Sequence, residues 1–523
     1  MDMKITIKNI VKIVLLFIFF ILLIRIDYRI DVPGKYAAGD DPNYYFHNQT
    51  IVYDFDLDYQ NNSLTDKAKF LNRKTQKLVP QHPIGSTFFT APFMFIGRII
   101  EDIFKISNFH YFFYSLSSIF YLFLSFKLIT HSMYIDSLNK KLFASLFFSG
   151  GLIYFSFERF SMTHIYEVLS VCILLKLSKD FSNQSKEIKI SFLLGLLSVL
   201  FINIRLINYF LLLTPIFYFL IFSKKDSLKK LFTNVFYYLG LSLGALINYL
   251  LQQNLYGSIV LNPSTIYNPS NSKLDNFLSK EVYSNTIVET VTFIFNTLKT
   301  IIFSSEFGIL YVTPVLVVSI PLIFKLLYKK NYATFLITSI IFLIPFGVVL
   351  LWQTTASSFG YRYLYVLVPY ALLIVNSNLN IKKYSKAVYF LSTFSFLTYL
   401  FFETSPGTSL SEQVNKFGRL HTYSAPDYIE EMVVSAFQLN SYLHIIFTSF
   451  LGVIIIKFFV LIIGKLDLIN IIDNLGYLND DVSRMIDYSE TVGFFHVVSL
   501  IFLFLYCYRC LIKNNQVNQM HNS

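Results

Sequence analysis

Asp40 and Asp41 stand side by side in the stretch AAGDDPNYYFHNQTIVYDFDLDY, between a flexible Ala-Ala-Gly and Pro42, which sets a turn. Adjacent carboxylates raise one another's pKa, and a nearby low-dielectric medium does the same. One of them can then serve as a general base. A solvated acidic loop is the plainer reading of the pair taken alone. Downstream, Asp54, Asp56 and Asp58 alternate as a calcium loop would. That loop also needs Gly at position 59 and Glu at position 65, where the chain has Tyr59 and Thr65. The short DxD pattern of a nucleotide-sugar metal site is common, so a solvated turn is expected there.

A second set of residues lies at the edges of apolar runs. Glu158, Arg159, His164 and Glu167 gather around the turn FERFSMTH, and His164 and Glu167 are spaced to share a helix face. Arg205 interrupts a long apolar stretch. Arg362 lies between Tyr361 and Tyr363 in SSFGYRYLYVLVP, and His82 precedes Pro83 and Gly85 at the start of an apolar helix. Ionisable groups this close to a membrane span are functional candidates, with snorkelling to the interface as the alternative. Arginine suits two-pronged recognition of phosphate. Two arginines at span boundaries with carboxylates nearby point to a lipid phosphate or diphosphate held beside a base.

The elements that must position these residues are membrane helices. The chain has 523 residues, 54% hydrophobic and only 14% charged, against about 25% charged in soluble domains. Many apolar runs reach the roughly 20 residues that cross a bilayer. The expected fold is an all-α polytopic membrane protein of about 13 transmembrane helices, with outer loops bearing short helices. The net charge of +11 comes from lysines in short loops, the pattern of cytoplasmic connections. No basic and aromatic patch lies outside the spans, so nucleic acid is not an expected partner. Lys4, Lys8 and Lys12 precede the first run, which lacks a following small-residue cleavage site; it reads as an uncleaved span with a cytoplasmic N-terminus. Alternation from there puts the acidic, His and aromatic residues on the outer side. The stretch 190–222 is too long for one crossing and reads as two spans meeting near Arg205. An amphipathic helix is expected around 288–302. Three cysteines are too few for a disulfide framework, and Cys507 and Cys510 have no metal-binding company.

In order along the chain, GDDPNYYFHNQ with DFDLDY, HPIGSTFFTAPF, NIRLINYFLLLTP, SSEFGILYVTPVL and WQTTASSFGYRYLYVLVP resemble segments of the bacterial GT-C glycosyltransferases. Each match alone is weak; their order and topology carry the resemblance, over most of residues 39–375. It is closest to the lipid-linked sugar transferases that include protein mannosyltransferases and lipid A aminoarabinose transferases. The resemblance implies a catalytic module over residues 1–402, with outer loops at 27–82 and 252–306; residues 403–523 are outside it. It implies a polyprenyl-phosphate sugar donor, a lipid, glycan or protein acceptor, and inversion at the anomeric carbon. Asp40 matches the position of the base. Asp41 matches its partner, where the family has Glu, so a direct role for Asp41 is less secure. Arg362 and Arg205 would bind the carrier phosphate. Candidate substrate-binding residues are His82, Glu158, His164, Glu167, Tyr361 and Tyr363. No cofactor or metal is implied, and a divalent cation is left open. The setting implied is a bacterial inner membrane with the site on its outer face. A surface-polysaccharide polymerase or ligase, and a lipid-linked sugar flippase, are the competing readings.

Overall fold

The computed structural model describes residues 7–24, 41–61, 71–72, 74–133, 137–157, 159–183, 188–260, 287–303, 308–352, 360–404, 446, 449–452, 455 and 494–512. These residues are almost wholly helical. A two-stranded antiparallel ribbon, β1 (Leu71–Asn72) with β2 (Lys77–Leu78), is the exception.

Helix α1 (Ile7–Leu23) carries Lys8, Asn9 and Lys12 at its start and is apolar from Ile13 on. The segment after α1 contributes α2 (Asp41–Gln49), which runs into a π-helical turn at Thr50–Asp54. Then come α3 (Thr87–Phe104), opened by a 3-10 turn at Ile84–Ser86, and α4 (Phe109–Ser132). The apolar run 142–157 reads in the sequence as a single crossing; the structure divides it between α5 (Ser137–Phe147) and α6 (Gly150–Phe157). Ser149 and Gly150 mark the break; the Gly150 amide donates to Ser395 Oγ at 3.2 Å. Next are α7 (His164–Asn183), α8 (Ile188–Leu200), α9 (Thr214–Ile221), α10 (Lys225–Thr233) and α11 (Val235–Tyr256). After α12 (Ile287–Phe303) follow the single turn α13 (Ile309–Val312), α14 (Pro314–Tyr328), α15 (Tyr332–Trp352), α16 (Val368–Asn378), α17 (Ser385–Thr404) and α18 (Phe494–Ile512).

Among the described residues, α4, α11, α15 and α18 are long and apolar enough to cross a membrane. Arg362–Asn378 and Ile381–Tyr399 form a fifth candidate, bent by 106°. The other apolar helices are shorter over their described residues. The stretch 188–221 is divided by its own backbone. Helix α8 tightens into a 3-10 turn at Phe201–Ile204, the chain extends at Arg205, and a second 3-10 turn at Asn208–Leu213 leads into α9. The expected division near Arg205 is present, as two short apolar helices that meet there.

The broadest helix contact is α8 against α11. Gly195 and Gly240 let the two backbones touch. A Cβ on Gly195 would sit 2.1 Å from the Tyr237 carbonyl oxygen, and one on Gly240 would sit 2.2 Å from that of Phe192. Helices α3, α4 and α7 form a second packed series. The last described helix, α18, lies on α4 and α1: Tyr506 stacks on Phe120 at 4.5 Å, and Phe504 meets Phe17 at 4.9 Å. The helix expected around 288–302 is present as α12.

Candidate functional site

Asp41 opens α2, where the N-terminal end of the helix favours a negative charge. Its Oδ2 lies 2.8 Å from Arg159 Nη2, with the two side chains 3% and 2% exposed. Arg159 comes from the turn between α6 and α7. The backbone closes that turn with the Arg159 amide on the Tyr154 carbonyl and the Met162 amide on the Arg159 carbonyl. The Asp41 carboxylate is thus directed at an arginine 118 residues away.

Glu167 is in the first turn of α7 and is fully buried. Its Oε1 lies 3.3 Å from Arg205 Nε and accepts from Asn208 Nδ2 at 3.1 Å. Its Oε2 lies 3.4 Å from His164 Nδ1, one turn back on the same face, without hydrogen-bond alignment. Arg205 can reach Glu167 because the chain leaves helical geometry there, at φ −152° and ψ 118°. The Arg205 guanidinium lies over Tyr363, 4.5 Å from carbon to ring centre. Arg362 approaches the same ring at 5.4 Å. Its Nη1 lies 4.0 Å from the Met162 sulfur, and it is close enough to interact electrostatically with both Arg159 and Arg205.

Three arginines and two carboxylates therefore share one end of the helices, where α2, α7 and α16 begin and α6, α8 and α15 finish. Beside them is a shallow groove lined by Arg205, Asn208, Tyr363, Ile207, Phe210, Ile344, Pro345 and Val348, too narrow as it stands to take in a water molecule. One side is polar. The other is the apolar flank of α15.

The segment between α1 and α3 is fastened nearby. His82 holds its carbonyl between His47 Nε2 (2.9 Å) and the Tyr256 hydroxyl (3.2 Å), and its ring faces Tyr44 at 5.4 Å. His47 Nδ1 accepts from the Tyr59 hydroxyl at 2.6 Å, so Nε2 carries the proton. Burial pushes the His47 imidazole down to about 4 from 6.5, although its bond to the His82 carbonyl favours the charged form. Asn48 is buried and bonded to the Tyr44 carbonyl and Thr90. The alternating Asp56 and Asp58 each turn back onto a backbone amide two residues on, at 3.0 Å, which makes this stretch a pair of side-chain-capped turns. Arg98 donates to the Val52 carbonyl and lies over the Tyr53 ring at 4.6 Å.

Of the residues singled out in the sequence, the structure brings Asp41, His164, Glu167, Arg205, Arg362 and Tyr363 together. Tyr361 is buried next to them in the chain. Asp40 and Glu158 lie outside the described residues. Arg159, given no role of its own by its spacing, proves to be the partner of Asp41. Asn208 was not singled out either; its signal is that it lies three residues after Arg205, one tight turn on. Among the described residues, no three His, Cys, Asp or Glu side chains gather as a metal site.

No family model, no curated protein and no solved structure matches the chain.

Proposed function

We propose that the chain is an inverting membrane glycosyltransferase of the GT-C kind, with about 13 crossings of a bacterial inner membrane. It takes a sugar from a polyprenyl-phosphate carrier and passes it to a lipid, glycan or protein acceptor on the outer face. The observation that carries the reading is the groove beside Arg205. Arg205 is part-exposed there, and its Nη atoms have no hydrogen-bond partner among the described residues. Arg362 stands behind the same tyrosine ring. An anionic head would meet Arg205 at the mouth of this groove, which must widen to admit it, and an apolar tail would lie along the flank of α15, which is long enough to span a bilayer.

The chemistry follows from the groups. The acceptor hydroxyl oxygen attacks the anomeric carbon as the carbon–oxygen bond to phosphate breaks. The hydroxyl proton passes to the Asp40 carboxylate, and the carrier leaves as a phosphate dianion. Arg205 and Arg362 stabilise the charge that grows on the leaving oxygen. The fixed geometry converts an encounter into an in-line displacement. Asp41, paired with Arg159, anchors the segment that carries Asp40. No metal is needed for a leaving group this good.

Purified wild type and Asp40→Asn, offered a panel of labelled polyprenyl-phosphate sugars with membrane extract as acceptor, test the reading. Transfer by wild type is expected, with turnover lost and donor binding kept in Asp40→Asn. A wild type that binds such donors and never cleaves them overturns it in favour of a flippase.

A further inference from the structure

We infer that Glu167 is a positioning residue that directs Arg205 into the groove. The inference rests on the proposed anion-binding role of Arg205. An arginine presents five N–H donors in a rigid planar fork. In Arg205 the Nε end is engaged by Glu167 Oε1 at 3.3 Å, and one face of the guanidinium is covered by Tyr363 at 4.5 Å. One edge and one face are thus occupied, which leaves the Nη pair as the part that can meet a ligand at the groove Arg205 lines. Turning the fork away would break the contact with Glu167 and uncover the ring.

The carboxylate is itself held. Asn208 Nδ2 donates to the same Oε1 at 3.1 Å, from the 3-10 turn that follows Arg205. His164, also fully buried, closes the far side 3.4 Å from Oε2. Glu167 has no exposed surface, whereas Arg205, Asn208 and Tyr363 line the groove. Any effect of Glu167 on a ligand therefore passes through the residues it holds, Arg205 and Asn208. A buried carboxylate beside the guanidinium also compensates a charge that would be costly to bury alone.

Farnesyl phosphate and farnesol, titrated into the full chain in detergent, separate binding of an anionic head from binding of an apolar tail. Glu167→Gln is expected to weaken farnesyl phosphate binding roughly tenfold, the low end of what supporting hydrogen-bond partners contribute at anchored sites, and to leave farnesol binding unchanged. Arg205→Lys is expected to weaken farnesyl phosphate as well, and adding Glu167→Gln to it should cost nothing further. An unchanged farnesyl phosphate affinity in Glu167→Gln, or losses that multiply in the double variant, overturns the assignment. Farnesol binding reports folding. If Glu167→Gln fails that control, Glu167→Asp, which keeps the charge and draws it back from Arg205, takes its place with the same expected behaviour. A wild type that binds farnesyl phosphate no better than farnesol overturns the reading of the groove, and does so before any substitution is made.

Discussion

Asp41 and Arg159 meet with almost no water around them, so each depends on the other. Removing one partner of a buried pair costs about 3–5 kcal/mol, because the other is left as an uncompensated charge. Asp41→Ala should therefore melt well below wild type in detergent, and Asp41→Ala with Arg159→Met should recover much of the loss. A double variant as unstable as both losses summed would show that the pair contributes nothing as a pair. His47 gives a pH dependence whose sign can be worked out. Its folded value, about 4, lies below the ordinary 6.5, so the unfolded segment takes up a proton in that window and the folded one does not. The stabilisation is full above about pH 6.5 and is lost as pH falls toward about 4, up to roughly 3 kcal/mol. Hydrogen exchange over residues 41–61 should quicken in that window, and His47→Asn should lack that part of the acceleration; an identical acid response in both would remove His47 as the cause. The sequence made some of these residues legible and hid others. Arg205 and Arg362 stood out because a cation among apolar residues needs a reason. The Asp41–Arg159 pair could not be read, since nothing local links residues 118 apart. His47 looked like one more polar residue of an acidic loop, and only the fold encloses it.

At the scale of elements, glycine sets how closely helices approach. Gly240→Leu should force α11 away from α8, since its Cβ alone meets a carbonyl oxygen at 2.2 Å. The shift would be felt at Arg205, which directly follows the 3-10 end of α8. Expected outcomes are a lower melting temperature and weaker farnesyl phosphate binding; a variant that melts and binds as wild type would show that the interface can slide. Periodicity and length predicted α12 and the divided stretch 188–221, because an amphipathic repeat marks the first and a charged residue between apolar runs marks the second. They missed the division of 142–157 into α5 and α6. The Ser-Gly-Gly there is no stronger a breaker than glycines that stay helical elsewhere, and the break is held by Ser395, far along the chain. The fastening of α2 by His82 and Tyr256 was hidden for the same reason.

For the molecule as a whole, orientation is the property with the most direct test. Cys172, Cys507 and Cys510 are all buried, so an impermeant maleimide should meet little background. Lys77→Cys, on the ribbon of the first outer segment, should label from outside intact cells. Lys229→Cys, on α10, should label only after the membrane is opened. The reverse pattern would place the arginine cluster on the cytoplasmic side and end the proposed use of an outer-face acceptor. The contact of α18 with α1 bears on how the protein is made. The ribosome delivers α1 first and α18 last, and at about 5–20 residues per second the wait between them is on the order of a minute. Through that minute the rings of Phe17 and Phe20 lack the Phe504 ring they finally pack against, and lipid or an insertion chaperone must shelter them. The seam between α1 and α18 can therefore close only after the roughly 480 residues between Phe17 and Phe504 have been made.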